Sequence, residues 1–181
     1  ALVLTGPEHL RIMGANGSGK TMLLNAIAHA NDPDHRSPVP PAYRVLYRLD
    51  NAAYLPQRIT LDPEHTLLET VQRANPGASE QHLRDQLARL LFRRESVHQH
   101  IGDLSGGERF RAALATVLLT DPVPQLLLLD EPTNNLDISS VDWLVQALEA
   151  YTGALIIVSH DEDFCERIRI DRTLSLSAKT L

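Results

Sequence analysis

Residues Gly14, Ala15, Asn16, Gly17, Ser18, Gly19, Lys20 and Thr21 run consecutively in the form G-x-x-x-x-G-K-[ST]. That pattern fits a phosphate cradle. Glycines at 14, 17 and 19 take positive φ at little steric cost, so successive backbone N–H groups can face one anion. A helix beginning near Lys20 adds unpaired N–H groups and the positive end of its dipole. Lys20 would reach the β- and γ-phosphates, and the Thr21 hydroxyl would ligate Mg²⁺. The plainer reading is a flexible Gly/Ser loop. Its surroundings argue against that: Leu10 and Ile12 alternate with Arg11 before the loop, and Leu23, Leu24, Ile27 and Ala28 follow at helical spacing.

Two acids form the second chemical group. Gln125 precedes four consecutive leucines, then Asp130 and Glu131. An all-apolar run bounded by Pro124 and by charge predicts a buried parallel strand. Acids at its C-terminal end stand where open α/β sheets bind ligands. Asp130 would hold Mg²⁺, directly or through water. Glu131, expected on the other side by strand alternation, would polarise an attacking water. A third group is Ser159-His160-Asp161, after the strand expected over 154–158. A lone histidine is usually structural, but at a strand end beside the acids His160 reads as a γ-phosphate sensor. A fourth is Leu104-Ser105-Gly106-Gly107-Glu108. Ser105 and Glu108 have the S-x-x-E spacing of a capping box. The two glycines are costly at a helix start unless something approaches the backbone closely, and a second phosphate is the natural visitor.

These groups need scaffolding. The chain has 181 residues, 43% hydrophobic, enough for one domain with a real core. Net charge is −6, which weighs against a global nucleic-acid surface. The single cysteine, Cys165, excludes an internal disulfide and reads as a packing residue. No secretory signal and no apolar run long enough for a bilayer are apparent, so direct membrane insertion is not expected and a cytoplasmic location is. The abrupt start suggests a piece of a longer chain.

In order, strands are predicted over 2–5 and 9–13 and a helix over 19–29. A proline-rich loop follows over 31–43, then strands over 44–49 and 52–55. Asp62-Pro63-Glu64 predicts a helix start, and Ser79 caps a second helix with a stripe of Leu83, Leu87, Leu90 and Leu91. Residues 62–103 thus form a small helical subdomain inside a single domain of 1–181. His82, His98 and His100 read as surface histidines rather than metal ligands. Helices are expected over 106–118 and about 141–148, with Trp143 off the apolar stripe in a partial packing role. A short helix opens at Asp161–Asp163, and a last strand covers 173–177. The fold class is α/β: a P-loop NTPase with a mainly parallel central sheet flanked by helices, a small antiparallel β part at the N-terminus and the inserted helical subdomain.

Together, Gly14–Thr21, Gln57, Leu104–Glu108, Leu127–Glu131, Asn135–Asp137 and His160 resemble the nucleotide-binding domain of ATP-binding cassette (ABC) proteins. They match, in family order, the Walker A loop, Q-loop, signature, Walker B, D-loop and H-loop. Glu131-Pro-Thr-Asn-Asn-Leu-Asp137 and Ser159-His-Asp-Glu-Asp-Phe164 look most like the ABC-F branch, which lacks transmembrane domains and acts on the ribosome in translation or antibiotic resistance. The resemblance implies an ATPase with ATP and Mg²⁺. Nucleotide would be bound by Gly14, Ala15, Asn16, Gly17, Ser18, Gly19, Lys20, Thr21 and Met22, and by Ser105, Gly106, Gly107 and Asp137. Thr21, Gln57 and Asp130 would serve the metal, and Glu131, His160, Gln57 and Lys20 would be catalytic. A second cassette, on the same chain or in a homodimer, would pair head to tail and complete each site.

Three departures stand out. The aromatic residue that stacks on adenine in the family has no counterpart before Gly14, the first Phe, Tyr or Trp being Tyr43. Met22 replaces a frequent second hydroxyl, at a cost of about 1 kcal/mol for one lost hydrogen bond. The inter-cassette linker and arm insertion of ABC-F chains are absent, which points to a second cassette. The partner would be the ribosome for an ABC-F factor, or a transmembrane subunit if the chain is instead the ATP-binding subunit of a transporter. A nucleotide-gated module without turnover fits poorly with Glu131 and His160. A coiled-coil DNA-repair cassette fits poorly with only 46 residues between Gln57 and Leu104.

Overall fold

A computed structural model describes residues 3–4, 6–30, 51–92 and 95–176. In chain order the elements are β1 (His9–Gly14), α1 (Lys20–Ala28), β2 (Ala52–Leu55), α2 (Leu67–Ala74), α3 (Glu80–Arg89), α4 (Gly106–Leu118), β3 (Leu126–Asp130), α5 (Ile138–Ala150), β4 (Ala154–Val158), α6 (Glu162–Arg167) and β5 (Arg172–Leu176). Short 3₁₀ turns occupy Ser96–His98 and Ile101–Asp103. The chain divides into two compact units. One comprises Ala1–Gln57, Gln125–Asn134 and Thr152–Leu181, the other Arg58–Pro124 and Asn135–Tyr151.

Among the described residues the first unit carries a five-stranded sheet in the order β2-β3-β4-β1-β5. Its ladders are all parallel. The leucine run becomes β3, with every residue buried, as a strand covered on both faces requires. Alternation sorts the side chains. Leu10, Ile12, Leu126, Leu128, Ile156 and Val158 share one core with Leu23 and Leu24 of α1. Parallel pairing carries all five strands' C-terminal ends to one edge, where Gly14, Asp130 and Val158 end their strands. The expected antiparallel part at the N-terminus rested on 2–5 and 9–13, but β1 pairs in parallel with both β4 and β5. Leu2, Thr5 and 44–49 lie outside the described residues, and Val3 and Leu4 carry no strand.

The second unit is helical. Its first helix does not begin at Asp62-Pro63-Glu64 as predicted. Residues 63–65 form a turn, and α2 starts after Thr66, whose side chain caps Glu69 N–H while Glu69 caps Thr66 N–H. The reason is tertiary. Ile101 N–H donates to His65 O at 2.8 Å and Gly102 N–H to Pro63 O at 3.0 Å. Carbonyls that a helix would have used are taken by a segment far along the chain. Ser79 caps α3 as expected. The leucine stripe is shorter than predicted: α3 buries Leu83 and Leu87, while Leu91 has φ 62° and is 59% exposed.

Trp143 is a full core residue, 4% exposed, rather than a partial one. Its indole N–H donates to Leu90 O at 2.6 Å, satisfying a carbonyl at the end of α3. Its ring meets Phe92 edge-on at 6.0 Å. The Arg111 guanidinium lies 4.9 Å from Trp143 and 5.1 Å from Phe92. Burial lowers the Arg111 pKa. No helix among the described residues is long and apolar enough to cross a membrane.

Candidate functional site

β1 delivers the phosphate loop directly into α1. A Cβ on Gly14 would sit 2.6 Å from Ser18 Oγ and 2.7 Å from Leu176 O, so this position has no space for a side chain. Gly19 is the N-cap of α1 at φ 92°, a left-handed conformation that glycine adopts without a Cβ penalty. Helices α2 to α6 each have a side-chain cap, from Thr66, Ser79, Ser105, Asp137 and Asp161. The start of α1 has none. Its first N–H groups are therefore open to an anion. Ser18 Oγ is buried and has no hydrogen-bond partner among the described residues. Lys20, 9% exposed, folds over the loop and donates to Gly14 O at 2.8 Å and Ala15 O at 3.2 Å. Neither partner is charged, so the ammonium's charge stays available to a phosphate. Met22 is 41% exposed and offers no polar group from its side chain.

Two of the three residues expected to serve a metal, Thr21 and Asp130, meet in the same unit. Thr21 Oγ1 donates to Asp130 Oδ2 at 2.7 Å across 109 residues of chain. One hydroxyl and one nearly buried carboxylate are hard oxygen donors. They suit Mg²⁺, which is commonly held by one or two carboxylates plus substrate phosphates and water. Gln57 is exposed two residues beyond β2, at the strand edge where Asp130 ends β3. Among the described residues it makes no hydrogen bond to Thr21 or Asp130. Tyr54 was not anticipated: its hydroxyl lies 3.4 Å from Asp130 Oδ2. Burial first, then the Asp130 charge, pushes its pKa up to about 12. Nothing in a four-residue strand marks such a tyrosine, because its partner lies 76 residues away.

Glu131 and His160 also come together, with Oε1 and Nε2 3.3 Å apart. Strand alternation does not set this geometry. β3 ends at Asp130, and Glu131 N–H makes one more bond, to Val158 O at 2.8 Å. The chain then turns at φ 49°, an uncommon conformation for a residue with a Cβ. Such strain tends to persist where function requires a particular aim.

In the other unit, Ser105 and Glu108 form the predicted capping box. Glu108 N–H donates to Ser105 Oγ at 3.3 Å and Ser105 N–H to Glu108 Oε2 at 2.9 Å. Hydrogen bonds from Ser105 hold the Glu108 carboxyl below its usual range. Its two glycines differ. Gly106 faces open space, whereas a Cβ on Gly107 would meet Ser140 Oγ at 2.6 Å. Gly107 thus answers to α5 as well as to any visitor. Asp137, expected to touch nucleotide, caps α5: its Oδ1 accepts from Ser140 N–H at 2.7 Å and Ser139 Oγ at 3.0 Å.

The family model described as "ABC transporter" matches residues 2–134. The chain is 35% identical over 161 residues to "ABC transporter F family member 5" of Arabidopsis thaliana, covering 89% of this chain and 22% of that one. It is 38% identical over 160 residues to "Tylosin resistance ATP-binding protein TlrC" of Streptomyces fradiae, covering 88% and 28%. It thus spans about a quarter of the length of these relatives. A solved dimeric bacterial ABC transporter cassette shares the fold, with TM-score 0.74 and 22% identity over 98% of this chain and 84% of that one. The chain belongs to the ABC transporter family of ATP-binding cassettes.

Proposed function

We propose that this cassette binds MgATP and hydrolyses it as one half of a paired site, within an ABC-F factor that acts at the ribosome in translation or antibiotic resistance. The observation that carries the ATPase reading is the meeting of Lys20, Thr21 with Asp130, and Glu131 with His160 beside one uncapped helix start. The α1 N–H groups and Lys20 bind the phosphates. Thr21 and Asp130 would hold Mg²⁺, which when bound neutralises phosphate charge. Glu131 accepts a proton from water as its oxygen attacks the γ-phosphorus and the bond to the ADP oxygen breaks. His160 contacts the γ-phosphate and keeps Glu131 aimed, and Gln57 reaches the same region from the β2 edge. Ser105, Gly106 and Gly107 serve the second wall of a partner's site. Residues 62–103 are the helical subdomain of a single cassette, and the working location is cytoplasmic.

The ABC-F assignment is supported by the closer similarity to F-branch and resistance ATP-binding proteins than to the transporter cassette. Glu131→Gln tests the mechanism. It should accumulate an ATP-bound pair by analytical ultracentrifugation, while the native chain turns over with activity rising faster than linearly with concentration. A Glu131→Gln chain that stays monomeric in ATP, beside a native chain that hydrolyses normally, contradicts the general-base role. ATP-dependent co-sedimentation of that variant with ribosomes tests the branch.

A further inference from the structure

Arg11 is a charged residue in an interior strand. It lies in β1, in register with Ile157 of β4 and Thr173 of β5, and is 5% exposed. Its neighbours Leu10 and Ile12 are core. Burying a guanidinium costs free energy unless its donors are satisfied. Here each of its three nitrogens donates into one short segment. Nη1 donates to Glu162 Oε2 at 2.7 Å and Nη2 to Glu162 Oε1 at 2.8 Å, a bidentate fork. Nε donates to Ser159 O at 3.0 Å. The two gripped residues flank His160.

His160 needs such support. Its side chain is 55% exposed, and its ion-pair contact is with Glu131. The imidazole therefore takes its aim from the backbone on either side. Ser159 is 1% exposed, and its Oγ accepts from Asp161 N–H at 3.1 Å. Asp161 then caps α6 through Phe164 N–H at 2.9 Å. The Arg11 fork ties this turn to the central sheet. Stability alone does not explain the choice. The Glu162 side chain is 66% exposed, and an apolar residue at 11 would fill the core without a charge to compensate.

We propose that Arg11 is a positioning residue for His160: by gripping Ser159 and Glu162 it sets the imidazole on Glu131. The proposal rests on the reading of Glu131 and His160 as the reacting pair. A lysine cannot substitute, because a single ammonium cannot present the fork and the Nε–H together.

Full-chain Arg11→Met and Arg11→Lys test it. Arg11→Met should fold, since the Glu162 carboxylate it leaves behind is solvated. It should lower kcat on the order of 10- to 100-fold with KM for ATP unchanged, and Arg11→Lys should recover only part. In a His160→Ala background Arg11→Met should cost nothing further. A readout independent of turnover is the His160 ring signal by NMR. Glu131→Gln should move it in the native chain and leave it unmoved in Arg11→Met. If Arg11→Met does not fold, Glu162→Gln replaces it and should give the same pattern in weaker form. Native kcat in Arg11→Met, the same loss with and without His160, or a ring signal that responds to Glu131→Gln in both backgrounds overturns the proposal. A native chain that does not hydrolyse ATP overturns the ATPase reading instead, and the NMR comparison still decides the role of Arg11.

Discussion

Gly107→Ala is the sharpest perturbation for the signature segment. The added methyl would lie 2.6 Å from Ser140 Oγ, closer than real carbon contacts allow. Ser140 is 4% exposed and its backbone N–H is held by Asp137 at 2.7 Å, so the residue has little freedom to yield. Forcing a methyl into a packed site costs about 1–3 kcal/mol. Alanine's helix preference over glycine returns up to about 1 kcal/mol. The net loss is roughly 0–3 kcal/mol, a fall of up to about 12 °C in the thermal midpoint for a chain of this length. Ser140→Ala supplies the control. With Oγ gone, the nearest atom is the Cβ of residue 140 at 3.4 Å, an ordinary contact. In that background Gly107→Ala should be neutral or stabilising. Thermal unfolding by circular dichroism on the four chains closes the cycle. An equal drop in both backgrounds, or none in either, would refute the packing explanation for Gly107.

Three further outcomes are expected. Lys20→Ala should weaken MgATP binding on the order of 10- to 100-fold by calorimetry, and native affinity would sink the phosphate-loop assignment. Tyr54 should ionise in a late step near pH 12, well above a free phenol, in a spectrophotometric titration. Because that pKa is raised, its stabilising contribution is complete below the free-phenol value of about 10 and is lost as pH rises towards 12. Tyr54→Phe should remove the late step; its survival would reassign it. Glu69, Glu108 and Glu162 are held below their ordinary value of 4.5 by Thr66, Ser105 and Arg11 respectively. Their contribution is therefore intact above that value and disappears as pH falls below it. The thermal midpoint should drop below pH 4.5 and Glu162→Gln should lessen the drop, whereas an unchanged pH profile would deny Glu162 a share.

Local interactions made much of this protein readable from its sequence. The leucine run before Asp130, the alternation in β1 and the glycine loop before α1 each carry their signal within a few residues. Ser105 and Glu108 cap α4 through a three-residue spacing that any chain can satisfy by itself. The errors arose where distant partners intervened. The turn at 63–65 yields its carbonyls to residues 101 and 102, so the helix starts later, after Thr66. Trp143 looked peripheral because its partners Leu90, Phe92 and Arg111 come from other elements.

The sequence by itself determined which chemistry was available: a phosphate loop with its lysine, a hydroxyl and an acid for a metal, a second acid and a histidine. Those assignments need only residue types and short spacings. Only the tertiary structure decided which of them meet. Thr21 reaches Asp130 across 109 residues, Glu131 reaches His160 through a left-handed turn, and Arg11 reaches Ser159 and Glu162 from the central strand. Strand order in a parallel sheet is a non-local choice, and it brings the ends of strands distant in sequence to one edge.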